Sequence, residues 1–207
     1  MPKISKERAN ERRNQILDAA EKCFARGGYH QATLDDIVTE SGLSKGAVYS
    51  YFPAKDEILI KLIERYWLQS TKRLQLLLSK CMDNSDRLVI LMNWFIQESN
   101  VNIRMWKIVL DAVLTSEEKD QLRSAMAQRN MSMLQMISRI IEDGKKRGIY
   151  PDDIRTETVA WTLFTISNGV MIHSLTQNVD FSSDEQQTET RENLQSLLTM
   201  LGLSGRE

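Results

Sequence analysis

The run Ser44-Lys45-Gly46-Ala47-Val48-Tyr49-Ser50-Tyr51-Phe52 gathers the side chains best suited to touch another molecule. Ser44 follows a Gly42-Leu43 turn and can cap a short helix through its hydroxyl, while Pro53 cuts that helix off. Such a cap leaves free N–H groups and the positive end of the helix dipole facing outward. Val48 and Phe52 stand four residues apart and predict one buried face. Lys45, Ala47, Tyr49, Ser50 and Tyr51 then occupy the other faces, so that a cation, a methyl, a hydroxyl and two phenols can meet a partner. Gly46 removes a side chain where a backbone would come closest to base edges, and Lys45 can reach a base edge or a phosphate. The partner this chemistry implies is double-stranded DNA.

The preceding elements position that run. A helix is expected from about Lys6 to Arg26, with Ile16, Leu17, Ala20, Cys23 and Phe24 as its apolar stripe and Gly27-Gly28 as its end. Thr33 with Asp36 forms a capping box that opens a second helix, in which Leu34, Ile37 and Val38 face inward. Gly42 supplies a left-handed turn before the Ser44 helix, completing a helix-turn-helix unit. From Pro53-Ala54-Lys55 a long helix runs to about Lys80, its buried side marked by Ile58, Leu59, Leu62, Ile63, Tyr66, Leu74, Leu77 and Leu78. Five further helices are expected, starting near Ser85, Asn102, Thr115 (a capping box with Glu118), Arg155 and Asp184, with a break at Gly148…Pro151. The chain therefore reads as all-α with about nine helices. A DNA-binding domain with a basic arm occupies residues 1–55, and a helical domain occupies 56–207.

Composition supports this division. Only 9 glycines and 3 prolines in 207 residues suit a nearly wholly helical chain. The net charge of −1 is unevenly spread: residues 1–55 carry nine Lys/Arg against seven acids, and the remainder is acidic. A basic arm on an acidic body suits local attraction to phosphate, as it also suits a solvated tail. Cys23 and Cys81 lack metal-type spacing and read as reduced residues of a cytoplasmic protein. No apolar run approaches the ~20 residues of a membrane span.

Residues 10–60 resemble the tetracycline-repressor (TetR) family of transcriptional regulators. The match rests on Ile16-Leu17-Asp18-Ala19-Ala20, Phe24, Gly28-Tyr29, Thr33-Leu34, Ile37, Gly42-Leu43-Ser44-Lys45-Gly46, Val48-Tyr49, Tyr51-Phe52 and Lys55. The resemblance implies phosphate contacts at Thr33, Tyr49, Tyr51 and Lys55, and base-facing positions at Ala47 and Ser50, with Ala47 suited to a thymine methyl. Alternatives stay open at three positions. Tyr51 can pack under the fourth helix, Thr33 can serve as a cap alone, and Gly46 can exist for close helix packing.

The resemblance also implies a ligand-responsive regulator, in the first instance a repressor that binds a palindromic operator as a homodimer. Val159, Leu163, Ile166 and Val170 on the eighth helix, with Leu194, Leu197, Leu198 and Leu201 on the ninth, make stripes suited to a partner copy or to the chain's own core. Trp94, Met105, Trp106, Met133, Met136, Trp161 and Phe164, with Asn168 as a polar anchor, suit an apolar pocket for a small, largely apolar effector. No cofactor or metal is expected. With two histidines and neither HExxH nor a Gly-rich phosphate loop, catalysis has no evident machinery. A constitutive or protein-controlled regulator, or an activator, is the alternative reading.

Overall fold

The structure, a computed structural model, describes residues 6–80, 85–115, 119–177 and 183–203. Within them the chain forms nine helices and no strand: α1 (Lys6–Gln31), α2 (Leu34–Ser41), α3 (Lys45–Tyr51), α4 (Lys55–Ser79), α5 (Ser85–Val101), α6 (Ile103–Thr115), α7 (Lys119–Lys146), α8 (Thr156–Gln177) and α9 (Asp184–Met200). The expected capping residue Glu118, together with Cys81, Asn84 and most of the 177–183 connection, lies outside the described residues.

Local chemistry sets the boundaries, with one correction. The first helix does not end at Arg26. It continues to Gln31 across a single non-helical residue, Gly28 (φ 79°, ψ 160°). A positive φ is cheap for glycine, so Gly28 kinks the helix instead of closing it. Beyond the kink Tyr29 turns its ring edge-on to Phe24, with centroids 5.2 Å apart. The Thr33–Asp36 capping box forms as expected: Thr33 Oγ1 accepts from the Asp36 N–H (3.1 Å) and Asp36 Oδ2 accepts from the Thr33 N–H (2.8 Å). Gly42 takes the left-handed conformation (φ 65°) that closes α2. At the end of α7, Gly148 (φ 71°) sits in a Schellman motif, its N–H bonded to the Lys145 carbonyl and the Ile149 N–H bonded to that of Gly144 (both 2.9 Å).

Two compact units emerge: Met1–Leu68 with Arg104–Met126, and Gln69–Ile103 with Ala127–Glu207. The division therefore falls inside α4 instead of at residue 55, because the α1–α3 unit alone is too small to close its core. Ile16, Phe24, Ile37, Val48, Phe52, Ile58 and Leu62 share one cluster with Met105, Ile108, Val109 and Ala112 of α6. Arg65 of α4 reinforces it by pairing with Asp18 (2.6 Å) and Glu21 (3.2 Å) of α1. Burial, helped by a hydrogen bond to Glu21, pushes the neighbouring Tyr66 phenol up to about 12. Cys23 is buried in the same unit, where desolvation raises its thiol pKa and keeps it protonated.

In the second unit α5 packs on α8 and α9 around Leu88, Leu91, Met92, Trp94, Met133, Ile137, Leu163, Leu194 and Leu198. Leu74 is buried as expected, but Leu77 is 43% exposed and leaves the buried side of α4. The buried Tyr150 ring lies against bare backbone at Gly144, where an added Cβ would stand 2.2 Å from ring carbon Cδ2. Gly144→Ala should consequently lower stability by about 1–3 kcal/mol despite its better helix propensity. Urea denaturation followed by circular dichroism checks this, and an unchanged midpoint would mean that the ring relocates at no cost.

Candidate nucleic-acid interface

The short helix α3 forms as the sequence expects. Ser44 adopts an extended conformation (φ −67°, ψ 149°) and its Oγ accepts the Ala47 N–H at 3.3 Å. Val48 and Phe52 are buried, pinning one face, while Lys45, Gly46, Tyr49 and Ser50 are exposed and Ala47 is half-buried. An added Cβ at Gly46 would meet nothing within 4 Å. Packing inside the chain therefore does not require that glycine.

The side chains around it are already ordered. Lys45 Nζ lies 2.8 Å from Asp35 Oδ1 and 5.5 Å from the centre of the Tyr49 ring. The Asp35 hydrogen bond and charge raise the Lys45 pKa, so this exposed ammonium is fully charged. Ser50 donates to the Ala47 carbonyl (2.7 Å). Tyr51 is half-buried against the core, and the Arg13 guanidinium stands 5.9 Å from its ring centre. That joins α1 to the α3 surface through a cation that the spacing within residues 44–52 did not point to. Thr33 is exposed and its hydroxyl is engaged in the capping box; those bonds to Asp36 hold the carboxylate below its usual pKa.

Lys55 requires a correction. Its ammonium does not point outward; it donates to the carbonyls of Tyr29 (2.7 Å), Ala32 (2.8 Å) and His30 (3.2 Å). All three of its donors are thus used at the C-terminal end of α1, where partial burial lowers its pKa. Lys55 ties α4 to the kink in α1 and has no donor left for a phosphate.

The residues expected to form one pocket are divided. Met105 is buried in the core of the N-terminal unit and Trp106 packs against that core, because α6 joins that unit. Trp94, Met133 and Phe164 are buried in the second unit, where Met136 and Asn168 are half-buried. Trp161 is 58% exposed and touches Phe164 only edge-on, with centroids 6.0 Å apart. The Asn168 amide is satisfied by the Phe164 carbonyl (2.8 Å), whereas the buried Trp94 indole Nε1 has no hydrogen-bond partner among the described residues.

The expected partner stripe also needs correcting. Val159, Leu163, Leu194 and Leu198 are buried within the chain itself, and Val170, Leu197 and Leu201 are half-buried. Of that stripe only Ile166 is exposed. The physical reason is that α8 is apolar on most of its circumference, so choosing its core side from sequence alone is ambiguous. Its outward line is Trp161, Thr165, Gly169 and Ile172.

Among known proteins, the family model for bacterial regulatory proteins of the tetR family matches residues 16–62, which span this helix-turn-helix. Over residues 16–62 the chain carries the DNA-binding region of that family. The HTH-type transcriptional regulator YfiR of Bacillus subtilis is 24% identical over 179 residues, spanning 84% of this chain and 85% of that one. A transcriptional regulator from Saccharomonospora viridis, solved in complex with choline, is 25% identical with a TM-score of 0.74, covering 92% of this chain and 96% of that one. FadR from Bacillus subtilis, solved with stearoyl-CoA, superposes with a TM-score of 0.72 over 94% of this chain and 99% of that one, at 21% identity. With that helix-turn-helix match and the similarity to YfiR along most of its length, the chain is a DNA-binding transcriptional regulator. No helix among its described residues is long and apolar enough to cross a membrane.

Proposed function

We propose that this chain is a cytoplasmic tetR-family repressor that binds an inverted-repeat operator as a homodimer and is released by a small, largely apolar effector. The observation that carries the DNA part is the outward face of α3, where Gly46 leaves the backbone uncovered between Lys45, Ala47, Tyr49 and Ser50. In a major groove that opening would let the N-terminal turn approach base edges, while Lys45, Tyr49, Thr33 and Tyr51 engage phosphate or base edges around it. One such helix covers little DNA, and specific affinity calls for two. The outward line of α8, apolar at Trp161 and Ile172 and small at Thr165 and Gly169, suits a second copy packed helix on helix.

The effector reading rests on the core of the second unit. Trp94, Phe95, Met133 and Phe164 make that core apolar and aromatic, and the Trp94 N–H, without a partner among the described residues, is a donor waiting for an acceptor. That buried, unsatisfied group favours a small-molecule effector over purely protein-based control. The choline and stearoyl-CoA held by the two solved relatives differ greatly, so the identity of the effector does not carry over. α4 runs without interruption from the DNA-binding unit into the second one, and gives ligand-induced change a continuous path. The effector must bind the DNA-released conformation more tightly, or the equilibrium does not move.

The test uses fluorescence anisotropy on an inverted-repeat duplex. Lys45→Ala with Tyr49→Ala should weaken binding by about 10- to 100-fold, the scale of two charge-assisted or base-edge contacts, with no change in thermal midpoint. A folded double variant with wild-type affinity would contradict the assignment of α3.

A further inference from the structure

The N-terminal unit carries a second concentration of positive charge that the operator-binding reading does not use. A cleft of about 910 Å³ opens between the second half of α1 and α6. Lys22 and Arg26 line it from α1, Arg104 and Lys107 line it from α6, and His30 lies just beyond the kink. Asp111 is the one carboxylate among the lining residues, and its Oδ2 already accepts the backbone N–H of Tyr29 (2.6 Å) and of His30 (3.3 Å). Four permanent cations thus face one committed carboxylate, in a chain whose net charge is −1.

Among the described residues nothing neutralises these cations well. Lys22 and Arg26 reach Glu40 at 3.4 and 3.5 Å and stay 69% and 68% exposed, long solvent-screened contacts that a stronger anion can displace. Arg104 and Lys107 are exposed and have no acidic partner among the described residues. The wall beside them is bare: a Cβ at Gly27 would meet nothing within 4 Å. The volume suits a small ligand.

We propose that this cleft binds a small polyphosphate, inorganic or borne by a nucleotide. A single charge cannot engage both walls, whereas a diphosphate offers oxygens in two directions. Arginine forks grip phosphate through paired N–H groups, and the lysines add point charge. The alternative occupant, the operator's own backbone, fits less well, because the cleft is concave and half its cations belong to α6, outside the helix-turn-helix. An occupant would join α6 to α1 next to the kink that Asp111 and Lys55 hold, and would stiffen the body that carries α3.

Calorimetry of the full chain without DNA, at low salt, tests this with pyrophosphate and ADP as probes. One molecule of either should bind per chain, more tightly than sulfate at equal ionic strength. Arg104→Ala with Lys107→Ala should weaken binding at least about tenfold, the scale of one charge-assisted hydrogen bond. Gly27→Leu should weaken it comparably by filling the cleft while leaving every charge in place. Circular dichroism confirms that both variants are folded. Probes that bind no better than sulfate, or a Gly27→Leu protein that binds normally, would overturn the proposal. So would a double variant that loses only DNA affinity and part of its salt dependence, since the cleft would then be a duplex-backbone contact. The variants at Lys45 and Tyr49 leave the cleft untouched, so failure here is distinguishable from failure of the operator reading.

Discussion

Placing arginine at both Gly169 and Ile172 is expected to leave a folded monomer whose operator affinity has fallen by about a thousandfold or more, the gap between specific and non-specific binding. Both positions lie on the outward line of α8. A Cβ at Gly169 meets open space, and Ile172 is 43% exposed, so neither change disturbs the chain's own core. In the proposed dimer, two arginines on each copy would meet their symmetry mates across the axis, where buried like charges cost several kcal/mol. Without the partner only one α3 reaches DNA at a time. Analytical ultracentrifugation with anisotropy checks both halves of this expectation. A monomeric variant that binds as tightly as the parent would contradict the dimer. A variant that remains dimeric would move the interface off α8.

Gly46→Leu is expected to lower operator affinity by at least about a hundredfold while thermal stability stays unchanged or rises slightly. The space around Gly46 is empty and the residue sits in a helix, so the fold loses nothing and gains helix propensity. On DNA the added side chain would occupy the approach between Lys45 and Tyr49, and docking would have to withdraw from the base edges or deform the duplex. Few substitutions separate function from stability so cleanly. Binding at the parent's affinity would mean that the backbone at Gly46 never comes near the groove.

What could be read from the sequence depended on how local the physics was. Ser44, Thr33, Gly42 and Gly148 act through hydrogen bonds to residues within a few positions, and each does what its type and spacing predict. Val48 and Phe52 are buried because their spacing leaves no alternative. Gly28 misled because a glycine pair signals a helix end, yet one positive φ can be absorbed as a kink when Lys55 and Asp111 hold the far side. Lys55 misled in the opposite sense: a lysine in a basic region reads as a phosphate contact, and its three carbonyl partners lie more than twenty positions away. The α8 stripe failed for want of contrast, since Leu163 and Trp161 are both large and apolar but only one faces the core. Met105 and Trp106 were grouped with Trp94 by type alone, and only the packing of α6 against α1 and α4 separates them.

In the proposed complex two copies of α3 read an inverted repeat together. Selection of bound duplexes from a random pool with effector-free protein at low salt, followed by stoichiometry on the winners, tests it most directly. Enriched inverted repeats with half-site centres about 10 base pairs or a multiple apart are expected, with an even number of chains per duplex and an affinity that falls steeply as salt rises. Enrichment of nothing, or of lone half-sites each held by a single chain, would contradict it.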